Sequence, residues 1–139
     1  MTRLVLDTST LLSGLVSVST SPPALLLAAA RADRFELVAC PRVFTEFERG
    51  LAKPYFRARL EARTIVEAND ALRLLATTLP DPPVVRSVLR DPTDDFLVAL
   101  ARAASAEAIV SGDGDLLDHD GLQPPAIHAR AACELLGLL

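Results

Sequence analysis

Short apolar runs alternate along the chain with longer segments of helical periodicity. The runs at 4–6, 35–40 and 108–111 are a few residues long, rich in Leu, Val, Ile and Ala, and bounded by polar residues or proline. Such runs are typical of buried strands in a parallel sheet. Residues 84–85 and 126–128 are weaker candidates for two further strands. We therefore expect four to five strands separated by helices.

The segments between these runs have the apolar spacing of amphipathic helices. Pro41 suits the first turn of one of them, because a helix leaves that N–H without an intrahelical partner in any case. An inward stripe follows in that helix, formed by Val43, Phe44, Phe47 and Leu51. The helices predicted in this way cover about 11–16, 24–34, 41–51, 65–79, 91–104 and 129–138.

Strands that alternate with helices predict right-handed crossover connections and a mainly parallel sheet with helices on both faces. We therefore expect a single domain over residues 1–139, an α/β fold that forms a three-layer α/β/α sandwich with four to five strands in the Rossmann-like order 3-2-1-4-5. In such a sheet, ligands bind beyond the carboxyl ends of the strands, where the strand order reverses. With this order the reversal lies between strands one and four.

Acidic residues lie at this reversal point or near the start of a helix. Asp7 ends the first strand, Asp113 follows the fourth, and Glu46 and Asp94 each lie in the first turns of a helix. Because clustered carboxylates repel one another, they favour a hard divalent cation such as Mg²⁺ or Mn²⁺ between them. The pattern therefore indicates a metal site suited to phosphodiester chemistry, with these four acids as its candidate catalytic residues.

Each acid also has a purely structural interpretation. Asp7 could cap the following helix, and Glu46 could face the solvent. Asp94 and Asp95 lie at a helix start, where the helix dipole alone favours acids. Asp94 shares a face with packed residues and is the preferred ligand, with Asp95 as an assisting neighbour. Asp115 is either a ligand through water or a turn residue.

Composition limits the remaining classes of protein. Half of the residues are hydrophobic and 23% are charged, which is typical of a folded globular domain. The N-terminal residues lack an apolar signal core, and no apolar run approaches the roughly 20 residues of a membrane span, so we expect a cytoplasmic protein without membrane association.

Cys40 and Cys133 have no metal or redox spacing and are expected to be reduced and buried. His119 and His128 lack partners at zinc spacing, and Leu117 interrupts a calcium-loop pattern.

The net charge of −4 hides an uneven distribution. Six basic and three acidic residues lie between positions 42 and 63, a local excess of three positive charges. Such a segment is either a solvated helix face or a surface that follows a nucleic-acid backbone. In the second case Tyr55 or Phe56 would stack on a base. The candidate contacts to the backbone are Arg42, Arg49, Lys53, Arg57 and Arg59.

Four segments have an order and spacing that are more specific together than any of them alone. They are Leu-Val-Leu-Asp-Thr-Ser at 4–9, Phe-Thr-Glu-Phe-Glu at 44–48, Arg-Asp-Pro-Thr-Asp-Asp-Phe-Leu-Val-Ala-Leu-Ala at 90–101 and Ala-Ile-Val-Ser-Gly-Asp-Gly-Asp-Leu-Leu at 108–117. Across essentially the whole chain they resemble the motifs of PIN-domain ribonucleases. The resemblance is strongest to the bacterial branch that contains the toxins of VapBC-type toxin–antitoxin pairs.

This resemblance implies a PIN-like fold and a Mg²⁺- or Mn²⁺-dependent endoribonuclease that cleaves RNA. It also implies frequent homodimerisation and inhibition by a small antitoxin protein whose C-terminal segment occupies the active-site groove. Ser111 matches a small hydroxyl residue that is usual in the family, whereas Ser9 stands where Asn is common and reaches less far toward a carboxylate. By motif, the family's four acidic positions correspond to Asp7, Glu46, Asp94 and Asp113. The expected metal ligands are Asp7, Asp94 and Asp113, with Asp95 and Asp115 as further candidates.

Three rival classes can be weighed against this one. A haloacid-dehalogenase-type phosphatase needs an acid two residues after the first-strand Asp, and Ser9 occupies that position. A receiver domain needs a lysine after a late strand, and Lys53 is the only lysine of the chain. A non-catalytic PIN-like module that holds RNA or a protein partner without cleavage stays open as the alternative.

Overall fold

Strands and helices alternate along the chain, as the apolar pattern predicts. Residues 1–83 and 92–139 are described by the computed structural model, with the backbone alone for 92–94. The strands are β1 Arg3–Leu6, β2 Glu36–Ala39, β3 Thr77–Thr78, β4 Ala108–Val110 and β5 Ala126–Ile127. The helices are α1 Thr8–Val16, α2 Pro22–Arg31, α3 Pro41–Leu51, α4 Pro54–Arg57, α5 Ala62–Leu75, α6 Pro92–Ala103, α7 Gly114–Leu117 and α8 Ala129–Leu135.

The strands of the described residues form one parallel sheet in the order β3-β2-β1-β4-β5. This confirms the predicted order, so the strand order reverses between β1 and β4. Leu6 pairs with Val110 across these two strands. Asp7 and Ser111 follow this pair and therefore lie side by side at the carboxyl edge of the sheet.

The sheet is the middle layer of a three-layer α/β/α fold, as expected. Helices α1, α2, α3, α5 and α8 pack against one another, whereas α6 packs on β1 and β4. The central strands are almost entirely buried, which explains why they read as continuous apolar runs. Over the described part of the chain, no helix has both the length and the hydropathy that a membrane span requires.

Helix α3 carries the inward apolar stripe that its sequence predicts. Val43, Phe44, Phe47 and Leu51 are all buried. Gly50 lies on the same helix where it meets α1, and a Cβ at this position would come within 2.5 Å of Leu12 Cδ1. A larger residue at position 50 would therefore require the Leu12 side chain to move.

The third strand differs from its prediction. The helix expected at 65–79 ends at Leu75, because Ala76 turns to an extended backbone. Thr77 and Thr78 then pair with β2, and the N–H of Leu79 donates to the carbonyl of Ala39 at 2.9 Å. The β-branched threonines favour this extended form. The strand predicted at 84–85 lies outside the described residues.

Both cysteines are buried and unlinked, as predicted. Cys40 follows β2 and is the N-cap residue of α3. Burial raises the pKa of its thiol to about 11, and the nearby Asp81 carboxylate adds to the rise. Burial also raises the pKa of the Cys133 thiol. Neither environment favours the reactive thiolate.

Candidate active site

Asp7 lies at the carboxyl end of the central strand, where sheet order reverses. Its N–H donates to the carbonyl of Val110 at 2.9 Å and so continues the ladder between β1 and β4 by one residue. The residue is only 7% exposed. It is also the N-cap of α1, so the structural interpretation offered by the sequence is correct as far as it goes.

Both carboxylate oxygens of Asp7 accept hydrogen bonds. Oδ1 accepts from the N–H of Thr10 at 2.8 Å and from the hydroxyl of Ser9 at 3.1 Å. Oδ2 accepts from the hydroxyl of Ser111. The serine that replaces the family's common Asn therefore still reaches the Asp7 carboxylate. These donors fix the orientation of a buried anionic group.

Ser111 connects Asp7 to Asp113. Its side chain is fully buried, and its hydroxyl oxygen accepts from the N–H of Asp113 at 3.0 Å while its proton goes to Asp7. Asp113 is partly exposed and caps the short helix α7, where its Oδ1 accepts from the N–H of Asp115 at 2.9 Å. The supporting role expected for Ser111 therefore has a definite geometry, since one hydroxyl links two of the predicted acids.

Glu46 faces α1 from the second turn of α3. Its Oε2 accepts from the hydroxyl of Thr8 at 3.3 Å, next to Asp7 in sequence. Its Oε1 accepts from Nε of Arg42 at 3.3 Å, one turn earlier in the same helix. Glu46 is therefore only partly exposed and does not point freely into solvent.

Arg42 makes contacts that its place in the basic segment did not suggest. Its guanidinium lies over the ring of Phe96, 4.1 Å from the centroid, while its Nε pairs with Glu46. Its backbone N–H donates to Oδ1 of Asp81 at 2.9 Å. Arg42 thus joins α3 to α6 and steadies Glu46. The four-residue spacing of Arg42 and Glu46 was a signal for this pair, whereas nothing local in the sequence pointed to Phe96.

The acids of α6 are described in part. The backbone of Asp94 lies in the first turn of α6, but its side chain is outside the described residues, so its predicted role as a ligand stays a prediction. Asp95 is buried, with 7% of its surface exposed. Asp95 is therefore not on a solvated helix face, and its predicted role as an assisting ligand stays a prediction.

A divalent cation fits the donor chemistry of this edge. Asp7 and Asp113 supply hard carboxylate oxygens, and an ionised carboxylate has about four lone-pair positions, so the hydrogen bonds of Asp7 leave room for a further partner. Among the side chains that the structure describes, no three acids, histidines or cysteines form a group that could hold a metal ion. Glu46 therefore does not form such a group with Asp7 and Asp113, and Asp94 as a further ligand stays a prediction.

A pocket lies beside these acids, between α1 and α3. It has a volume of about 410 Å³ and is lined by Thr8, Ser9, Leu12, Glu46, Arg49, Gly50 and Lys53. Two of the predicted RNA-binding residues, Arg49 and Lys53, thus lie on its wall and are exposed. They share this pocket with Glu46 and with Thr8 and Ser9, the two hydroxyl residues that follow Asp7.

The other members of the basic segment lie on or next to α4. Arg57 is exposed, and the guanidinium of Arg59 lies 3.6 Å from the ring centroid of Tyr55 while donating to its carbonyl at 2.8 Å. Tyr55 is 53% exposed, whereas Phe56 is partly buried against the core. Of the two aromatic residues, Tyr55 is the one available for stacking.

Known proteins provide an independent comparison. The family model described as the PIN domain matches residues 3–115. The chain is similar in structure to PAE2754 from Pyrobaculum aerophilum, with a TM-score of 0.69, 14% identity, and 99% of this chain and 91% of that chain covered. It is also similar to FitAcB from Neisseria gonorrhoeae, with a TM-score of 0.58, 13% identity, and 91% of this chain and 98% of that chain covered. No curated protein matches the chain.

At these identities the two solved structures show a common fold, and the family model carries the assignment. Its match begins at β1 and ends at Asp115, so it includes Asp7, Glu46, Ser111 and Asp113. It covers well over half of the sequence. The chain belongs to the PIN domain family.

Proposed function

We propose that this protein is a Mg²⁺- or Mn²⁺-dependent endoribonuclease that hydrolyses RNA phosphodiester bonds. PIN domains are generally nucleases. By the resemblance of its motif segments, this chain has an acid at each of the family's four acidic positions. The observation that carries the proposal is the hydrogen-bonded link from Asp7 through Ser111 to Asp113 at the reversal point of the sheet. A buried, oriented carboxylate at that point is more than a helix cap requires.

In this proposal Asp7, Asp94 and Asp113 hold the cation, and Asp95 and Asp115 are further candidates for it. When bound, a divalent cation lowers the pKa of a coordinated water and offsets the charge that builds on the phosphoryl oxygens. Ser111 keeps Asp7 and Asp113 in register with each other. The Thr10 and Ser9 donors hold Oδ1 of Asp7 and Ser111 holds Oδ2, so the carboxylate is oriented before a cation binds.

Glu46 has a different role from the other acids. It lies on α3 and lines the pocket between α1 and α3, and Thr8 and Arg42 hold both of its oxygens. From there its carboxylate can accept a proton from the attacking water or hydrogen-bond the substrate. Arg42 orients Glu46 and is a positioning residue. The candidate contacts to the RNA backbone are then Arg49, Lys53, Arg57 and Arg59.

The proposal extends to the biological setting of the enzyme. The four motif segments and the fold likeness to FitAcB support the toxin of a toxin–antitoxin pair, with a small antitoxin protein as partner. A homodimer in the cytoplasm is the corresponding assembly. Co-expression with the product of a neighbouring small gene tests the partner directly. A stable complex that no longer cleaves RNA is expected, and a partner that leaves cleavage unchanged contradicts this part.

Cleavage of end-labelled RNA tests the activity. Wild-type protein with Mn²⁺ should give discrete products, and EDTA should abolish them. Asp7→Asn should lower the rate by roughly a hundredfold or more, because a metal centre supplies several kcal/mol of transition-state stabilisation and each 1.36 kcal/mol is tenfold. The matched control is Asp118→Asn, since Asp118 is an exposed acid just beyond α7. Equal cleavage by wild type and Asp7→Asn would reject the site.

The second candidate function is a PIN-like module that binds RNA or a protein without cutting. Two observations favour it: the described side chains alone form no three-ligand group, and Ser9 replaces the family's usual Asn. This candidate predicts RNA binding by the wild type together with no metal-dependent products. The cleavage assay therefore separates the two functions as long as binding is measured on the same RNA.

A further inference from the structure

The pocket between α1 and α3 has two basic side chains on its wall, Arg49 and Lys53. Five arginines of the described chain pair with glutamates: Arg3 with Glu36, Arg42 with Glu46, Arg63 with Glu67, Arg73 with Glu48 and Arg130 with Glu134. Arg49 and Lys53 have no such partner within residues 1–83 and 95–139. Two cations that stand unpaired on the wall of one pocket are a site for an anion from outside the protein.

The surrounding residues explain why these two cations stay unpaired. The acid next to Arg49 in sequence, Glu48, turns away to Arg73, with 3.7 Å between Nη2 and Oε2. Glu46 is already held by Arg42 and Thr8. The pocket thus contains one carboxylate that already has hydrogen-bond partners and two cations that have no ion-pair partner among the described residues.

The shape of the pocket is set by the contact of two helices. Leu12 and Gly50 form its floor where α1 meets α3. The volume of about 410 Å³ is in the range of small-ligand sites. The opposite wall carries Thr8 and Ser9, and the Ser9 hydroxyl bonds Asp7. An occupant of the pocket therefore lies immediately beside the proposed catalytic acids.

We infer that this pocket, termed here the basic pocket and defined by Thr8, Ser9, Glu46, Arg49 and Lys53, holds the backbone of single-stranded RNA next to the scissile phosphate. The inference rests on the proposed function, because it takes RNA as the substrate. Arg49 and Lys53 each neutralise one backbone phosphate. The Thr8 and Ser9 hydroxyls, which donate to Glu46 and Asp7, keep lone pairs that can accept from a ribose hydroxyl.

This inference divides the basic segment into parts with different roles. Arg42 is occupied by Glu46 and Phe96, and Arg59 by Tyr55, so neither has the freedom of Arg49 or Lys53. The RNA path therefore enters along Lys53 and Arg49 and ends at Asp7. A single strand suits a recessed pocket of this kind, because an unpaired backbone can bend toward the acids where a stiff duplex cannot.

The test is the salt dependence of RNA binding in EDTA, where no cleavage is expected. Fluorescence anisotropy of a labelled single-stranded RNA gives Kd for the wild type, Arg49→Ala and Lys53→Ala over a series of salt concentrations. Each substitution should weaken binding and lower the magnitude of the slope of log Kd against log salt by roughly 0.7, the value for one phosphate contact to a single strand. The double variant should lower it by about twice as much.

The matched control is Arg63→Ala, which removes the same charge from an exposed position on α5. The Arg63 side chain is 87% exposed and pairs with Glu67 instead of lining the pocket. It should leave the slope unchanged. A slope that survives Arg49→Ala and Lys53→Ala, an equal loss in Arg63→Ala, or no RNA binding by the wild type would each overturn the inference. Absence of Mn²⁺-dependent cleavage alongside the expected slopes would instead reject the nuclease proposal and leave the binding site standing.

Discussion

Two neighbouring regions of the molecule are built in opposite ways. The strand edge, defined by Asp7, Ser111 and Asp113, is mostly buried, and hydrogen bonds from the backbone and from hydroxyls hold its side chains. The basic pocket lies beside it, and its cations Arg49 and Lys53 are exposed and make no ion pair with the described residues. One region is fixed before a ligand arrives, and the other can adjust to it.

The difference indicates that the strand edge and the basic pocket would have different roles in one enzyme. Transition-state stabilisation depends on groups that are already oriented, because reorganising them costs free energy during the reaction. Contacts to a flexible polyanion gain from charge more than from exact geometry. Substitutions at the strand edge should therefore affect kcat, and substitutions in the basic pocket should affect KM.

The largest expected effect is a loss of kcat after substitution at the strand edge. Asp113→Asn should lower kcat by roughly a hundredfold with little change in KM, because it removes a proposed cation ligand. The double variant Arg49→Ala/Lys53→Ala should raise KM with little change in kcat, because it removes ground-state binding. Steady-state cleavage of one RNA over a range of concentrations measures both. A loss of kcat in the double variant as large as in Asp113→Asn would contradict separate roles for the strand edge and the basic pocket.

Ser111→Ala tests whether the strand edge depends on its connecting hydroxyl. The change leaves Oδ2 of Asp7 and the N–H of Asp113 without this buried partner, so the free energy of unfolding should fall by about 1–3 kcal/mol. Activity should fall about 10- to 100-fold, as is typical for residues that orient metal ligands. Urea unfolding and the cleavage assay provide the two readouts.

Ser9→Ala is the matched control for Ser111→Ala. The Oδ1 atom that Ser9 contacts keeps the Thr10 N–H as a donor, and Ser9 is exposed, so both effects should be smaller. If Ser9→Ala were as damaging as Ser111→Ala, the buried link to Asp113 would not be the essential feature of the edge.

These comparisons also indicate how far the sequence alone could lead. The apolar runs and their alternation with helices predicted that strands one and four would be neighbours, which placed Asp7 and Asp113 at one edge. The end of α5 was missed because Leu75, Ala76 and Leu79 continue a helical spacing through two threonines that prefer an extended backbone. The apolar periodicity of this segment does not indicate that β2 is available to pair with Thr77 and Thr78.

The basic segment was the harder case, because charge in a sequence does not tell which side chains find partners. Arg42 and Arg49 look alike in the sequence, yet one lies over Phe96 and the other lines a pocket. Phe96 is more than fifty positions away from Arg42. This contact depends on where the whole fold brings Arg42 of α3 and Phe96 of α6 together, and no spacing rule within one helix predicts it.

Arg42→Ala should have a moderate effect that separates Arg42 from the RNA-binding residues. Loss of a half-exposed ion pair and a cation–π contact should cost about 1 kcal/mol of stability. Glu46 would lose one of its two restraints, so kcat should fall several-fold while Kd for RNA in EDTA and its salt dependence stay near wild type. Arg42→Lys keeps the charge without the planar fork and should restore kcat only in part. A flatter salt dependence in Arg42→Ala would show that Arg42 contacts RNA after all.

The smallest effect concerns Cys40, which is buried at the carboxyl end of β2. Burial raises the pKa of its thiol from 9.0 to about 11, so the folded protein resists ionisation that the unfolded chain undergoes. Stability from this group should therefore be complete below about pH 9 and should be lost as the pH rises to about 11. Urea titrations of wild type and Cys40→Ala across that interval measure the difference. Identical pH profiles of the two proteins would mean that water reaches this part of the sheet.

Calorimetric titration with Mn²⁺ tests most directly whether the strand edge is a cation site. Wild-type protein should give a saturable binding heat, and Asp7→Asn should weaken the affinity at least about tenfold while the far-UV spectrum and thermal unfolding show that the domain is folded. No saturable binding by the wild type, or the same affinity in Asp7→Asn, would contradict the account.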